Sequence, residues 1–341
     1  MIYFDSDYMA GAHPEVLQRL IDTNLEHTVG YGCDQYTEQA INLIREACDS
    51  PKAQVFFMVG GTQTNATIID GILARHEGVL APESAHINVH EAGAIEATGH
   101  KVLTLPQHEG KVWADEVEHY IEEFYRDETF LHMVAPGMLY ISFPTEYGTV
   151  YTLSELEALS QVCHDAQIPL YIDGARLGYG LAAKDGNVTL KDIARLADVF
   201  YIGGTKMGTL MGEAVVVTNP TLLKNMTPLM KQHGALLAKG RLLGVQFATL
   251  FSNDLYLNIG RYAVELAITL KNEFFARGYD IVVDSPTNQQ FFRLPNDLID
   301  QLKQHASFEL WGPPGKTHSI VRFVTSWSTT YNDINRLIEL I

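Results

Sequence analysis

Apolar residues fall along this chain in short blocks closed by glycine, proline or an acid, with amphipathic stretches between them. The block Val55 to Val59 in "QVFFMVGGTQTN" runs into Gly60 and Gly61 and then into a helical face with Ile68, Ile69 and Ile72. That is a strand, a glycine turn and a helix. "GVLAP", "MLYISF", "PLYID", "DVFYIG" and "EAVVVT" are further short, almost wholly apolar strands. Helical spacing alternates with them. "HPEVLQRLIDTNLEH" has Val16, Leu17, Leu20, Ile21 and Leu25 as its apolar set, and "TEQAINLIREACD", "HEAGAIEATG", "SELEALSQVCHDA" and "LKDIARLA" follow. Ser154 with Glu157 is read as the capping pair of the fourth of these. Wholly apolar strands alternating with helices predict an α/β fold, a mostly parallel central sheet sandwiched by helices. Past about residue 250 the pattern loosens into a long helix, "LYLNIGRYAVELAITLKNEFFARG", then "DIVVDS", "QQFFRL", "FELWG", "SIVRFVTSW" and a last helix, "NDINRLIELI". This predicts a large domain over 1–254 and a smaller C-terminal α+β domain over 255–341.

Charge and composition narrow the class. With 341 residues there is ample chain for a large core. The formal charge of −17 argues against nucleic acid and anionic membrane surfaces as partners. No apolar stretch reaches the roughly 18 residues that span a bilayer, and the N-terminus does not resemble a signal peptide. Cys33, Cys48 and Cys163 are odd in number and form no CxxC pair, so they are read as free thiols in a cytoplasmic protein.

In open α/β sheets, ligands bind beyond the carboxyl ends of the strands. Several reactive groups fall there. Gly60, Gly61 and Thr62 open a helix, whose first N–H groups suit an anion. Asp173 and Arg176 follow "PLYI"; Ser142, Thr145 and Glu146 follow "MLYI"; His86 follows "GVLAP"; Lys206 follows "DVFYIGG". Each has a bland alternative: a tight turn, an Asp173–Arg176 structural pair, a lysine reaching solvent, a structural histidine, a solvated loop acid. Neither the P-loop nor the dinucleotide glycine pattern fits. One chemistry uses all the parts: pyridoxal phosphate needs an anion cradle, a lysine for covalent attachment, a carboxylate for the ring nitrogen and a flat side chain against the ring.

"GGTQTN", "SAHINVHEAGA", "YIDGARLG" and "YIGGTKMGTLMGEAVV", in this order, resemble the L-threonine aldolase family, fold-type-I pyridoxal phosphate enzymes related to β-eliminating lyases. The resemblance implies that Lys206 holds the cofactor, Asp173 pairs with the ring nitrogen and His86 stacks on the ring. It places Gly60, Gly61, Thr62 and Thr205 around the phosphate. Arg176 and Arg322 would grip the substrate carboxylate with help from Ser6, and Tyr36 would line the site. The implied reaction is retro-aldol cleavage of L-threonine, L-allo-threonine and related β-hydroxy-α-amino acids to glycine and an aldehyde, in a homodimer or homotetramer with sites shared between subunits. Two departures stand out. Where many members carry a Glu–Asn–Thr–His segment this chain has "FPTEYGTV", so either Glu146 or His86 is the candidate base, or the substrate differs. Where many have a Gly–Met–Arg–Gln segment, Leu237 replaces the arginine, with Lys239 as the nearby substitute. A β-eliminating lyase or an aminotransferase on a small amino acid is the alternative. An Asp-x-Asp phosphotransferase reading of "FDSDYM" lacks a full preceding strand, and a metal site from His86 and His90 lacks a third ligand.

Overall fold

The computed structural model describes residues 1–183 and 186–341. Its main sheet has seven strands in the spatial order Gln54–Met58, Glu213–Val217, Val199–Gly203, Leu170–Asp173, Ala135–Ser142, Glu77–Pro82 and Lys101–Leu105. Glu213–Val217 is antiparallel to both neighbours, and the other pairings are parallel. Val199, Phe200, Tyr201 and Ile202 are almost fully buried, as a strand covered on both faces requires. Helices cover one face through a cluster that includes Leu80, Ile141, Ile172, Ile202 and Phe247. The other face carries Val79, Tyr140, Tyr171, Tyr201 and Val215. The alternation of these two sets along each strand is the period of two that points successive side chains to opposite faces.

The C-terminal residues form a four-stranded antiparallel sheet, in the order Glu309–Leu310, His318–Val324, Gln289–Pro295 and Asp280–Val283. Two features tie it to the rest of the chain. Ile2 and Tyr3 pair in parallel with Ala306 and Ser307, and Ile2 and Phe4 join the core of this region. The helix Leu255–Ala276 contributes Leu255, Tyr256, Ile259 and Ala263 to the first cluster, and Leu266, Leu270 and Phe274 to the C-terminal core.

Local signals were mostly read in place, with instructive differences. The helix over the segment 153–165 starts on Thr152, whose hydroxyl accepts from the Glu155 N–H while Glu155 accepts from the Thr152 N–H, so the capping box lies two residues before the Ser154–Glu157 pair. "HEAGAIEATG" yields a single turn, Ala94–Ala97, because Ala92 and Gly93 take left-handed backbone angles just before it. In the helix Pro14–Asp22 only Val16 is buried, while Leu17, Ile21 and the following Leu25 face outward. The strand Lys101–Leu105 and the helices Ala114–Arg126, Arg241–Leu250 and Asn296–Leu302 come from segments with no clear block or stripe in the sequence reading.

Two glycines explain how the loops at the strand ends interlock. A Cβ on Gly174 would lie 1.9 Å from the Tyr201 carbonyl oxygen, and one on Gly203 would lie 2.2 Å from the Ala175 carbonyl oxygen. The Gly203 N–H instead donates to the Gly174 oxygen at 2.9 Å. Backbone cannot retreat as a flexible side chain can, so Gly174→Ala is expected to destabilise the protein by about 1–3 kcal/mol or more. Gly60→Ala, whose Cβ would meet nothing within 4 Å, should stay within about 0.5 kcal/mol of the parent. Urea unfolding of the two variants checks the contrast.

Candidate active site

The carboxyl ends of the strands open onto one cavity of about 600 Å³. Gly60, Gly61, Thr62, His86, Glu146, Asp173, Arg176, Thr205, Lys206 and Arg322 all line it. Ser6 and Tyr36 do not: Ser6 is buried, and the Tyr36 hydroxyl donates to Glu26 at 2.5 Å beneath Arg19 and Arg241.

Asp173 is the most firmly placed group. It follows Tyr171 by two residues on one strand, so both face the same side of the sheet. Tyr140 and Tyr201 occupy that face on the two neighbouring strands. The Asp173 carboxylate accepts from the Tyr140 hydroxyl at 2.6 Å, the Tyr201 hydroxyl at 2.5 Å, Asn65 Nδ2 at 3.1 Å and the Ala175 N–H at 2.9 Å. The chain of contacts continues outward. Asn65 also donates to Glu91 at 2.8 Å and accepts from Tyr171 at 2.7 Å, and Glu91 holds His86 Nδ1 at 2.7 Å. Burial first, and then Asp173, pushes the Tyr140 and Tyr201 hydroxyls well above ordinary tyrosine, which keeps them neutral donors. The sequence reading missed Asn65, Glu91 and these tyrosines. The signal was present in "MLYI", "PLYI" and "VFYI", where one hydroxyl recurs at the same position before three strand ends.

Arg176 does not pair with Asp173. Its Nε donates to Asp7 Oδ2 at 2.7 Å and its Nη2 to Asp7 Oδ1 at 3.1 Å. This bidentate pair also consumes the Asp-x-Asp of "FDSDYM" structurally. Burial would raise the Asp7 carboxyl, but Arg176 and Lys206 outweigh it and hold it below the usual range.

Lys206 sits on the turn between Val199–Gly203 and Glu213–Val217. Among the described residues no carboxylate lies within ion-pair distance of its amine, which approaches the Tyr8 ring at 6.0 Å. Burial, and then the Arg176 guanidinium, holds the amine below ordinary lysine, against the pull of Asp7, Asp173 and Glu213. That makes it a better nucleophile near neutrality. Behind the turn, Glu213 is 3% exposed and accepts from the Gly204 N–H at 3.0 Å and the Thr205 hydroxyl at 2.8 Å. Burial pushes its carboxyl up to about 7.

Glu146 is no solvated loop acid. Its Oε1 accepts from the Ser142 hydroxyl at 2.7 Å and the His86 N–H at 3.0 Å, while Oε2 is buried with no partner among the described residues. Burial raises its carboxyl. The helix Gly61–Ile72 has no side-chain cap at Gly60, so its leading N–H groups face the cavity unclaimed, as a phosphate or carboxylate would require.

Comparison with known proteins places this geometry. A family model described as "Beta-eliminating lyase" matches residues 4–291. A solved Leishmania major threonine aldolase shares 40% identity, spans 100% of this chain and 98% of its own, and superposes with a TM-score of 0.96. A low-specificity L-threonine aldolase of Pseudomonas aeruginosa is 29% identical over 99% of this chain and 95% of its own length. Aspartate aminotransferase of Thermus thermophilus, 13% identical, superposes with a TM-score of 0.73 over 100% of this chain and 90% of its own. The fold is therefore the one shared by fold-type-I pyridoxal phosphate enzymes, with its smaller antiparallel C-terminal sheet.

The raised Glu213 carboxyl sets a direction for stability. Its folded value of about 7 lies above the ordinary 4.5, so the folded state holds the proton more tightly. The stability it contributes is present below 4.5 and lost as pH rises through about 7. Glu213→Gln should therefore gain on the parent between roughly pH 5 and pH 8. Urea midpoints of the unloaded proteins at the two pH values measure that gain.

Proposed function

Because the chain belongs to the β-eliminating lyase family, in its threonine aldolase branch, we propose that it cleaves L-threonine, L-allo-threonine and related β-hydroxy-α-amino acids to glycine and an aldehyde with pyridoxal 5′-phosphate. The observation that carries this reading is the convergence on one cavity of Lys206, Asp173 and the uncapped turn at Gly60 and Gly61. The residues fit the cofactor. Lys206 would hold it covalently, Asp173 would face its ring nitrogen and His86 would stack on its ring. Gly60, Gly61, Thr62 and Thr205 would bracket its phosphate, and the space beside Gly60 leaves room for that approach. All four acceptor positions of Asp173 are already used, so a ring N–H must displace one of the donors. Thr205 gives its hydroxyl proton to Glu213 and accepts from the Gly212 N–H, so it donates to a phosphate only when Glu213 is protonated.

When bound, the cofactor supplies the electron sink that takes up the charge left as the Cα–Cβ bond breaks. The chain's own residues do the rest. Arg176 and Arg322 bind the substrate carboxylate and fix which bond is presented. The Glu91 carboxylate orients the His86 ring. Glu146 lines the cavity and accepts the β-hydroxyl proton, its carboxyl raised by burial. Cleavage should fall as pH drops through that raised value.

The reading includes a homodimer or homotetramer in the cytoplasm. Leu17, Ile21, Leu25, Val29 and Tyr31 form an exposed apolar run early in the chain that suits burial against a second copy, and among the described residues no helix is long and apolar enough to cross a membrane. A second copy would bring the exposed Lys239 to the cavity.

The purified protein loaded with pyridoxal phosphate should release glycine and acetaldehyde from the threonine diastereomers, and 2-oxobutyrate with ammonia, the products of β-elimination from threonine, should not appear. Lys206→Ala should lose both the cleavage and the visible absorbance of the bound cofactor. Turnover by the Lys206→Ala protein would refute the mechanism.

A further inference from the structure

The guanidinium assigned to the substrate carboxylate already carries a carboxylate of this chain. Glu309 and Arg322 stand directly opposite each other in the antiparallel pairing of Glu309–Leu310 with His318–Val324. Arg322 Nη2 donates to Glu309 Oε2. The pair is a product of strand register, so it forms whenever the sheet forms. Its two members differ in freedom. Arg322 is pinned: Nη1 donates to Gln289 Oε1 at 3.0 Å, Nη2 reaches the Asp5 carbonyl at 3.5 Å, and the guanidinium lies 5.1 Å from the Trp311 ring. Its Nε is buried with no partner among the described residues. The Glu309 side chain is 46% exposed, at the start of a two-residue edge strand. An incoming carboxylate can displace Glu309 into water, but it cannot move Arg322.

The charge around the pair points the same way. Asp7 neutralises Arg176, Glu309 neutralises Arg322, and Lys206 is the attachment point for the cofactor. Glu91, Glu146, Asp173 and Glu213 add carboxylates to the same cavity. His86 is held by Glu91, and burial first disfavours charge on His90, so among the described residues no lysine or arginine of the cavity is left for a second carboxylate on a substrate.

We propose that Glu309 is a specificity-determining residue, which competes with the substrate for Arg322 and sets the cavity against amino acids that carry a second carboxylate. This rests on the reading of Arg322 as the carboxylate-binding group. The site therefore selects β-hydroxy-α-amino acids whose side chain is uncharged, and it holds them less tightly than a bare guanidinium would.

The test compares the loaded parent, Glu309→Gln, Glu309→Asp and Arg322→Gln on L-threonine and on 3-hydroxyaspartate. An exposed ion pair contributes enough for a roughly two- to fivefold effect, so Glu309→Gln should lower KM for threonine by about that factor with kcat little changed. The ratio of kcat/KM for 3-hydroxyaspartate to that for threonine should rise about fivefold or more. Glu309→Asp keeps the charge and should stay near the parent in both respects. The cofactor absorbance and thermal midpoint of each variant report whether it is folded and loaded. An unchanged or higher KM for threonine in a folded Glu309→Gln protein, or an unchanged substrate ratio, would overturn the inference while leaving the aldol reading intact. If Arg322→Gln leaves KM for threonine unaltered, the carboxylate assignment itself falls, and the inference with it.

Discussion

A partly desolvated amine with no carboxylate at ion-pair distance among the described residues is the feature around which this molecule is arranged. Holding Lys206 there costs several kcal/mol unless something offsets it. The offsets lie at second hand: Asp7, Asp173 and Glu213 all pull on the amine, yet each is committed to other donors. Burial and the Arg176 guanidinium outweigh these pulls and favour the uncharged amine, which is the state that attacks a carbonyl.

The sheet supplies the rigidity this needs. Three tyrosines on one face of neighbouring strands converge on Asp173 directly or through Asn65, and the same network reaches His86 through Glu91. A buried network with every member partnered specifies one geometry, whereas a half-satisfied one would be worse than apolar packing. Asp173 itself is satisfied in this way, while Glu91 Oε2 at the outer end of the network is buried without a partner among the described residues. The opposite side of the cavity, at Glu146 Oε2 and Arg322 Nε, keeps buried polar atoms without partners.

Much of this was legible in the sequence because it lies in short, local signals. Apolar blocks ended by glycine mark the strands, and the residues just after them mark the cavity, so Lys206, Asp173, His86 and the Gly60–Gly61 turn could be named from order alone. What escaped reading depends on partners far apart in the chain. Asp7 and Arg176 are 169 residues apart, and Asn65 and Asp173 are 108 apart. No spacing rule links such pairs. Glu213 stood in plain view within an apolar run, and only the fold shows that it turns back beneath Thr205. Tyr36 and Ser6 were placed by resemblance, and neither lines the cavity of its own chain.

Reduction of the loaded protein with borohydride, followed by peptide mass mapping, tests the central claim most directly. The account predicts one pyridoxyl group, carried by the peptide that contains Lys206. A modified Lys239 or Lys231 in its place, or no modified peptide from protein that shows the cofactor's absorbance, would contradict it.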